Sequence, residues 1–117
     1  MAVRSVARIE DVNTVVYTWA GLTQATLDTG EPVKVLDWAD YSVQFEGTFG
    51  TGGSITFEGS NDGTNYRALT DPQGNAITKT AAAIEQIEEA VRWVRPAVTA
   101  GDGTTALVAT MFMRRNR

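Results

Sequence analysis

The sequence predicts an all-β protein: a β-sandwich of about eight short antiparallel strands in a single domain spanning 1–117. Three observations carry this reading. Apolar and polar residues alternate in Tyr41-Ser42-Val43-Gln44-Phe45-Glu46 and again in Ile55-Thr56-Phe57-Glu58, the period of a strand with one buried face. Turn residues recur at intervals of roughly ten, the spacing of a small sandwich. β-Branched and aromatic residues fill the runs between the turns.

Taken in order, residues 1–10 are weakly patterned and read as an N-terminal arm or an edge strand. Thr14-Val15-Val16-Tyr17-Thr18-Trp19 has the densest strand composition of the first third. Ala20 to Glu31 holds two glycines and several threonines and reads as a loop. Val33 to Leu36 is a brief strand that begins once Pro32 is past. The alternating runs 41–46 and 55–58 flank the glycine-rich Gly47 to Gly53, which predicts an antiparallel hairpin with a flexible loop.

Asn61-Asp62-Gly63 and Asp71-Pro72-Gln73-Gly74-Asn75 are turns, because Asx side chains bond their own backbone and glycine accepts positive φ. Tyr66 to Leu69 is a short strand between them. Ala81 to Val94 is ambiguous: Ile84, Ile87, Val91 and Val94 have helical spacing, yet Val91 to Arg95 has strand composition. The reading is a strand from about Ala90, stopped by Pro96, after a short strand or one helical turn. Following the turn at Ala100-Gly101-Asp102-Gly103, the final strand Thr104–Met113 is apolar on both faces. Such a strand belongs inside a sandwich or against a partner subunit.

Composition excludes whole classes of chemistry. The 117 residues are 43% hydrophobic and 21% charged, a globular balance for one domain. Histidine and cysteine are both absent, which removes serine–histidine catalysis, thiol nucleophiles, disulfides and thiolate metal sites. No apolar run approaches the roughly 20 residues of a membrane span, and the N-terminus lacks the apolar core of a signal peptide. No membrane partner is therefore expected. A net charge of −4 disfavours a nucleic-acid partner.

The cations cluster at the ends: Arg4 and Arg8 at one, Arg114, Arg115 and Arg117 at the other. They read either as solvation of the termini or as forks that dock on an acidic neighbour. Glycine-rich 47–53 lacks the lysine and hydroxyl of a phosphate loop. Asn61, Asp62, Asn65 and Asp71 are oxygen-rich, but they do not fit an EF-hand and have a local hydrogen-bonding explanation. The carboxylate groups Asp37/Asp40 and Glu85/Glu88/Glu89 read as solvated surface charge, since a glycosidase needs two carboxyls across a cleft. No catalytic residue, cofactor or metal is expected.

Among the tryptophans, Trp93 sits between valines and reads as core. Trp38, flanked by acids, is the one best suited to anchor a partner. The partner-interface candidates are Arg4, Arg8, Trp38, Arg114 and Arg115.

The phrases FEGSNDGTNY, LTDPQGN, RWVRP and VTAGDGTTALVATMFMRR, spread over residues 43–115, resemble small tailed-bacteriophage proteins of the capsid cement or decoration type. The resemblance implies a jelly-roll-like sandwich that oligomerises on the outer shell. There it would clamp neighbouring subunits of the major capsid protein, after assembly in the host cytoplasm. The last strand adds the expectation of a homo-oligomer, dimer or trimer, with the terminal arginines free to reach a further partner. The alternative is a carbohydrate-binding sandwich of a phage tail or spike. It would place two or more of Tyr17, Trp19, Trp38 and Tyr66 on one exposed platform.

Overall fold

The computed structural model describes residues 2–35 and 38–115. It is all β, with no helix among the described residues and twelve strands in two sheets. β1 is Val3–Arg4, β2 Val6–Glu10, β3 Thr14–Thr23, β4 Thr29–Gly30, β5 Val33–Lys34 and β6 Ala39–Thr48. β7 is Ser54–Ser60, β8 Arg67–Ala68, β9 Thr78–Lys79, β10 Ala83–Gln86, β11 Trp93–Ala100 and β12 Ala106–Arg114. A five-stranded sheet runs β10-β6-β12-β3-β2; a seven-stranded sheet runs β1-β4-β11-β7-β8, with β5 on β11 and β9 on β7. The predicted sandwich is therefore present. Its strand count exceeds eight because five of the elements are two residues long.

Side chains of period two fill the space between the sheets. From one side come Val15, Tyr17, Trp19, Val43, Phe45, Leu107, Ala109, Met111 and Met113; from the other come Ile55, Phe57, Val94 and Val98, all buried. Trp19 is 0% exposed and meets Phe57 edge-on at 5.9 Å between ring centres. Its indole Nε1 donates to the Glu31 carbonyl at 2.8 Å, so the buried ring keeps a hydrogen-bond partner.

Several sequence expectations are corrected. Residues 20–31 are not simply a loop, for β3 continues to Thr23 and β4 lies within the segment. The continuation bends at a bulge, where Leu107 pairs Leu22 but Ala109 pairs Trp19. Gly21 supplies the positive φ of 69° there. Residues 3–4 and 6–10 are strands, and they join different sheets: β1 pairs β4 in parallel while β2 pairs β3. The N-terminal segment thus closes one open side of the sandwich.

The runs 41–46 and 55–58 do not form a hairpin. β6 and β7 lie in different sheets, and the glycines between them carry the chain across. Alternation marks a strand with one buried face but does not say which sheet it joins. Nor is the connecting loop loose. Thr51 N donates to Asp102 Oδ2 at 2.9 Å, and Thr105 Oγ1 donates to the Phe49 carbonyl at 2.7 Å.

Pro96 does not stop its strand, which runs to Ala100. Val98 donates its N–H to the Asp28 carbonyl at 2.8 Å, so Pro96, two residues earlier, aims its nitrogen to the same side, away from β7. On that side the neighbouring chain is interrupted between β4 and β5, and no donor is required. The same strand begins at Trp93 rather than near Ala90, and the ambiguous stretch before it contributes β10 as a true strand. Trp93 is half-buried on the outer face, with Lys34 Nζ 4.9 Å from its ring centre; Trp19 takes the core place expected of Trp93.

The last strand lies at the centre of its sheet, between β3 and β6. Leu107, Ala109, Met111 and Met113 are fully buried, while Phe112 faces out. The predicted strand at 33–36 shortens to Val33–Lys34, with Leu36 outside the described residues.

Candidate functional site

Four of the five candidate residues converge at one end of the sandwich. Glu10, at the end of β2, bridges two arginines: its Oε1 takes Arg8, and its Oε2 takes Arg115 Nη2 at 3.4 Å. Arg8 Nε also donates to the Tyr17 hydroxyl at 3.1 Å. The chain after β12 turns back over this corner, with Arg115 N donating to the Asn13 carbonyl at 3.0 Å and Arg115 Nε to the Val12 carbonyl at 3.1 Å. The Arg115 guanidinium then lies 4.3 Å from the centre of the Trp38 ring, a cation–π contact that clamps the half-buried tryptophan.

Beside it, Arg114 Nε donates to Asp40 Oδ2 at 2.8 Å, and both side chains are more than half exposed. Asp40 has φ of 53°, a conformation that costs a non-glycine residue on the order of 1 kcal/mol. The cause is a bulge: Phe112 pairs Ser42, yet Arg114 pairs Ala39, so Asp40 and Tyr41 together oppose Met113. Bulges re-aim side chains, and this one turns Asp40 to the surface beside Arg114.

Two hollows meet at the bulge, sharing Asp40, Tyr41 and Gln86. One, of about 480 Å³, has Phe112 and Arg114 in its wall; the other, of about 210 Å³, is bounded by Trp38 and Glu88. Burial pushes the Tyr41 hydroxyl pKa up, so it stays protonated across the neutral range. The arrangement offers an aromatic surface, a bulge and exposed charge of both signs.

Arg4 is elsewhere. Its Nε donates at 2.7 Å to Asp28, whose side chain is fully buried. Burial alone would raise the Asp28 pKa. Hydrogen bonds from Thr26, the Thr23 N–H, Arg4 and the Thr23 hydroxyl outweigh it and hold the carboxyl far below the usual range. Arg4 is therefore a structural counter-ion. The expectation that the terminal arginines stand free is corrected, since Arg4, Arg8, Arg114 and Arg115 all have partners within the chain. Arg117 and Asp37 lie outside the described residues.

The acidic turns have local explanations. Asp62 accepts from the N–H groups of Asn65 and Thr64, from the Asn65 amide and from Ser60, which lowers its pKa. Asp71 accepts from the N–H groups of Gln73 and Asn75 at 3.0 Å each. Among the described residues no three acidic side chains are grouped to hold a metal ion. A third hollow, about 340 Å³, lies between the Asn61 turn, Arg67 and Glu89. Desolvation works to raise the Glu89 pKa, but bonds from Thr70 lower it overall.

The aromatic platform expected of a carbohydrate binder does not form. Trp19 and Tyr17 are buried, and Tyr66 lies under Arg95, whose guanidinium is 4.0 Å from its ring centre. Sequence reasoning missed Asp28, Glu10 and the bulge at Asp40. The only sequence signal for the bulge was an aspartate breaking the alternation at the start of a strand.

This geometry defines a small β-sandwich with a polar-aromatic end. No protein-family model matches the sequence, and no curated protein matches it. Among solved structures the chain is similar to the crystal structure of the SPBc2 prophage-derived protein YomS, with a TM-score of 0.64 at 14% identity. The match covers 91% of this chain and 98% of that one, so the two share a fold essentially end to end.

Proposed function

We propose that this protein is a structural component of a phage particle. In the finer reading it is a cement module that binds the outer capsid surface, where it clamps neighbouring major capsid subunits as a homo-oligomer. The observation that carries this reading is the fold, shared over 91% of the chain with a prophage-derived protein. The phage-like phrases over residues 43–115 support it independently. The role needs no cofactor and no catalysis, in keeping with a chain that lacks histidine and cysteine.

The docking end is the one built from Trp38, Asp40, Arg114 and Arg115. An exposed ion pair is worth no more than about 1 kcal/mol, so an acidic group on the shell exchanges for Asp40 on Arg114 at little cost. Trp38 supplies apolar area beside that charge. Each contact is weak, and repetition over a shell multiplies it.

Electron microscopy of particles carrying the protein tests this. The expected result is density on the outer shell, at junctions between major capsid subunits, with residues 38–40 and 114–115 towards the shell. Density on the tail and none on the shell overturns the cement reading in favour of the tail-module alternative.

A further inference from the structure

The outer face of the five-stranded sheet carries a patch without charge. Register places its outward side chains in two adjacent rows. The first is Ile9, Val16, Phe112, Ser42 and Gln86, one from each strand. The second is Ala7, Thr18, Thr110, Gln44 and Ile84. None is ionisable, although 21% of the chain is charged. Ile9 is 73% exposed, Ile84 64% and Phe112 40%. Uncharged and partly apolar, such a surface marks an interaction site.

We propose that a second copy of this chain covers this face. The argument is its self-complementarity, the requirement of a twofold interface. Ile9 and Ile84 stand on opposite edge strands and in different rows. A twofold along β12 lays Ile9 of one copy over Gln86 of the other, and Ile84 over Ala7. A twofold across the strands, between the rows, lays Ile9 over Ala7 and Ile84 over Gln86. In neither setting does one isoleucine strike the other.

Phe112, on the central strand, meets its own counterpart or Thr110. The hollow of about 480 Å³ beside Phe112 and Gln86 receives Ile9 in the first setting. In the second, the Arg114 end of one copy approaches Glu46, at the opposite end of the face of the other. The first setting brings Arg114 against its own counterpart, so charge complementarity favours the second.

At strand spacings of about 4.8 Å and two-residue repeats of about 6.8 Å, ten positions cover roughly 330 Å² of flat sheet. That is below the roughly 800 Å² per partner of a standard interface. The pairing is therefore weak, as suits a module strengthened by a lattice. The inference does not depend on where the protein sits on a particle, because it concerns the isolated chain.

Sedimentation equilibrium from about 5 to 500 μM, on the intact protein, is the test. Wild type is expected to shift reversibly from monomer to dimer. Phe112→Asp should weaken the dimer by about 30-fold or more, and Ile84→Glu by about 10-fold. Lys34→Glu, on the outer face of the other sheet, should leave it unchanged. Circular dichroism checks that each variant is folded, and Ile84→Glu at an exposed edge stands in if Phe112→Asp is not. A wild-type monomer throughout the range overturns the proposal, as does association that both face variants leave intact. Monomeric protein whose particles still show shell density would sink this inference and the homo-oligomeric part of the cement reading but leave the shell location standing; a dimer found only on tails would sink the cement reading alone.

Discussion

Trp19 and Gly30 fit each other so closely that a Cβ on Gly30 would stand 2.4 Å from Trp19 Cδ1 and 2.6 Å from Pro96 Cδ. Here β3 of one sheet meets β4 of the other, and the indole bond to Glu31 O fixes the ring against the same segment. Glycine is needed here for space: its φ is not in the positive range.

Gly30→Ala therefore forces Trp19 or Pro96 aside in a filled core and should cost about 2–3 kcal/mol. Gly74→Ala makes the contrast. Its Cβ meets nothing within 4 Å, and only the φ of 87° is unfavourable, so about 1 kcal/mol is expected. Urea unfolding of the two variants and wild type measures both, and equal losses would show that Gly30 has no special packing role.

Asp28 predicts an acid limit. Its folded pKa is depressed, so its contribution is complete above the unfolded value near 3.9 and fades as pH falls towards the folded value. Asp62 and Asp102, also depressed by hydrogen bonds, act in the same direction. Thermal melts should hold steady from pH 7 to about pH 5 and fall below about pH 4. Asp28→Ala strands the Thr23 N–H and Arg4 and should cost about 3 kcal/mol at pH 7. Melts that stay level down to pH 2 would contradict this account of Asp28.

The strands with one buried face were legible in the sequence: the alternation at 41–46 and 55–58 and the density of 14–19 each name a real strand. Partnership was not. Nothing local in 41–58 tells a hairpin from a crossing between sheets, because that choice is made by distant pairings such as Ala97 with Thr56. Pro96 misled for a similar reason, since its missing donor faces a gap that only the fold creates. The site was half legible. Trp38, Arg114 and Arg115 stand out as types, but the acid each cation binds depends on register: Asp40 lies 74 residues from Arg114.

The proposed docking end can be disturbed without unfolding the protein. Arg114→Glu replaces one half of an exposed pair and should change stability by less than about 1 kcal/mol. Trp38→Ala removes a half-buried ring under Arg115 and should cost about 1–2 kcal/mol. Denaturant curves and binding measured on the same samples separate folding from docking. A loss of binding no larger than the loss of stability would remove these residues from the interface.

The central claim is that this chain binds a capsid shell, and co-sedimentation tests it most directly. Shells of the major capsid protein from the same genome, assembled without this protein, are mixed with it and pelleted. The account predicts saturable uptake at a fixed ratio to capsid subunits, reduced about tenfold or more by Arg114→Glu together with Trp38→Ala. Wild-type protein left wholly in the supernatant at concentrations above about 100 μM would contradict it.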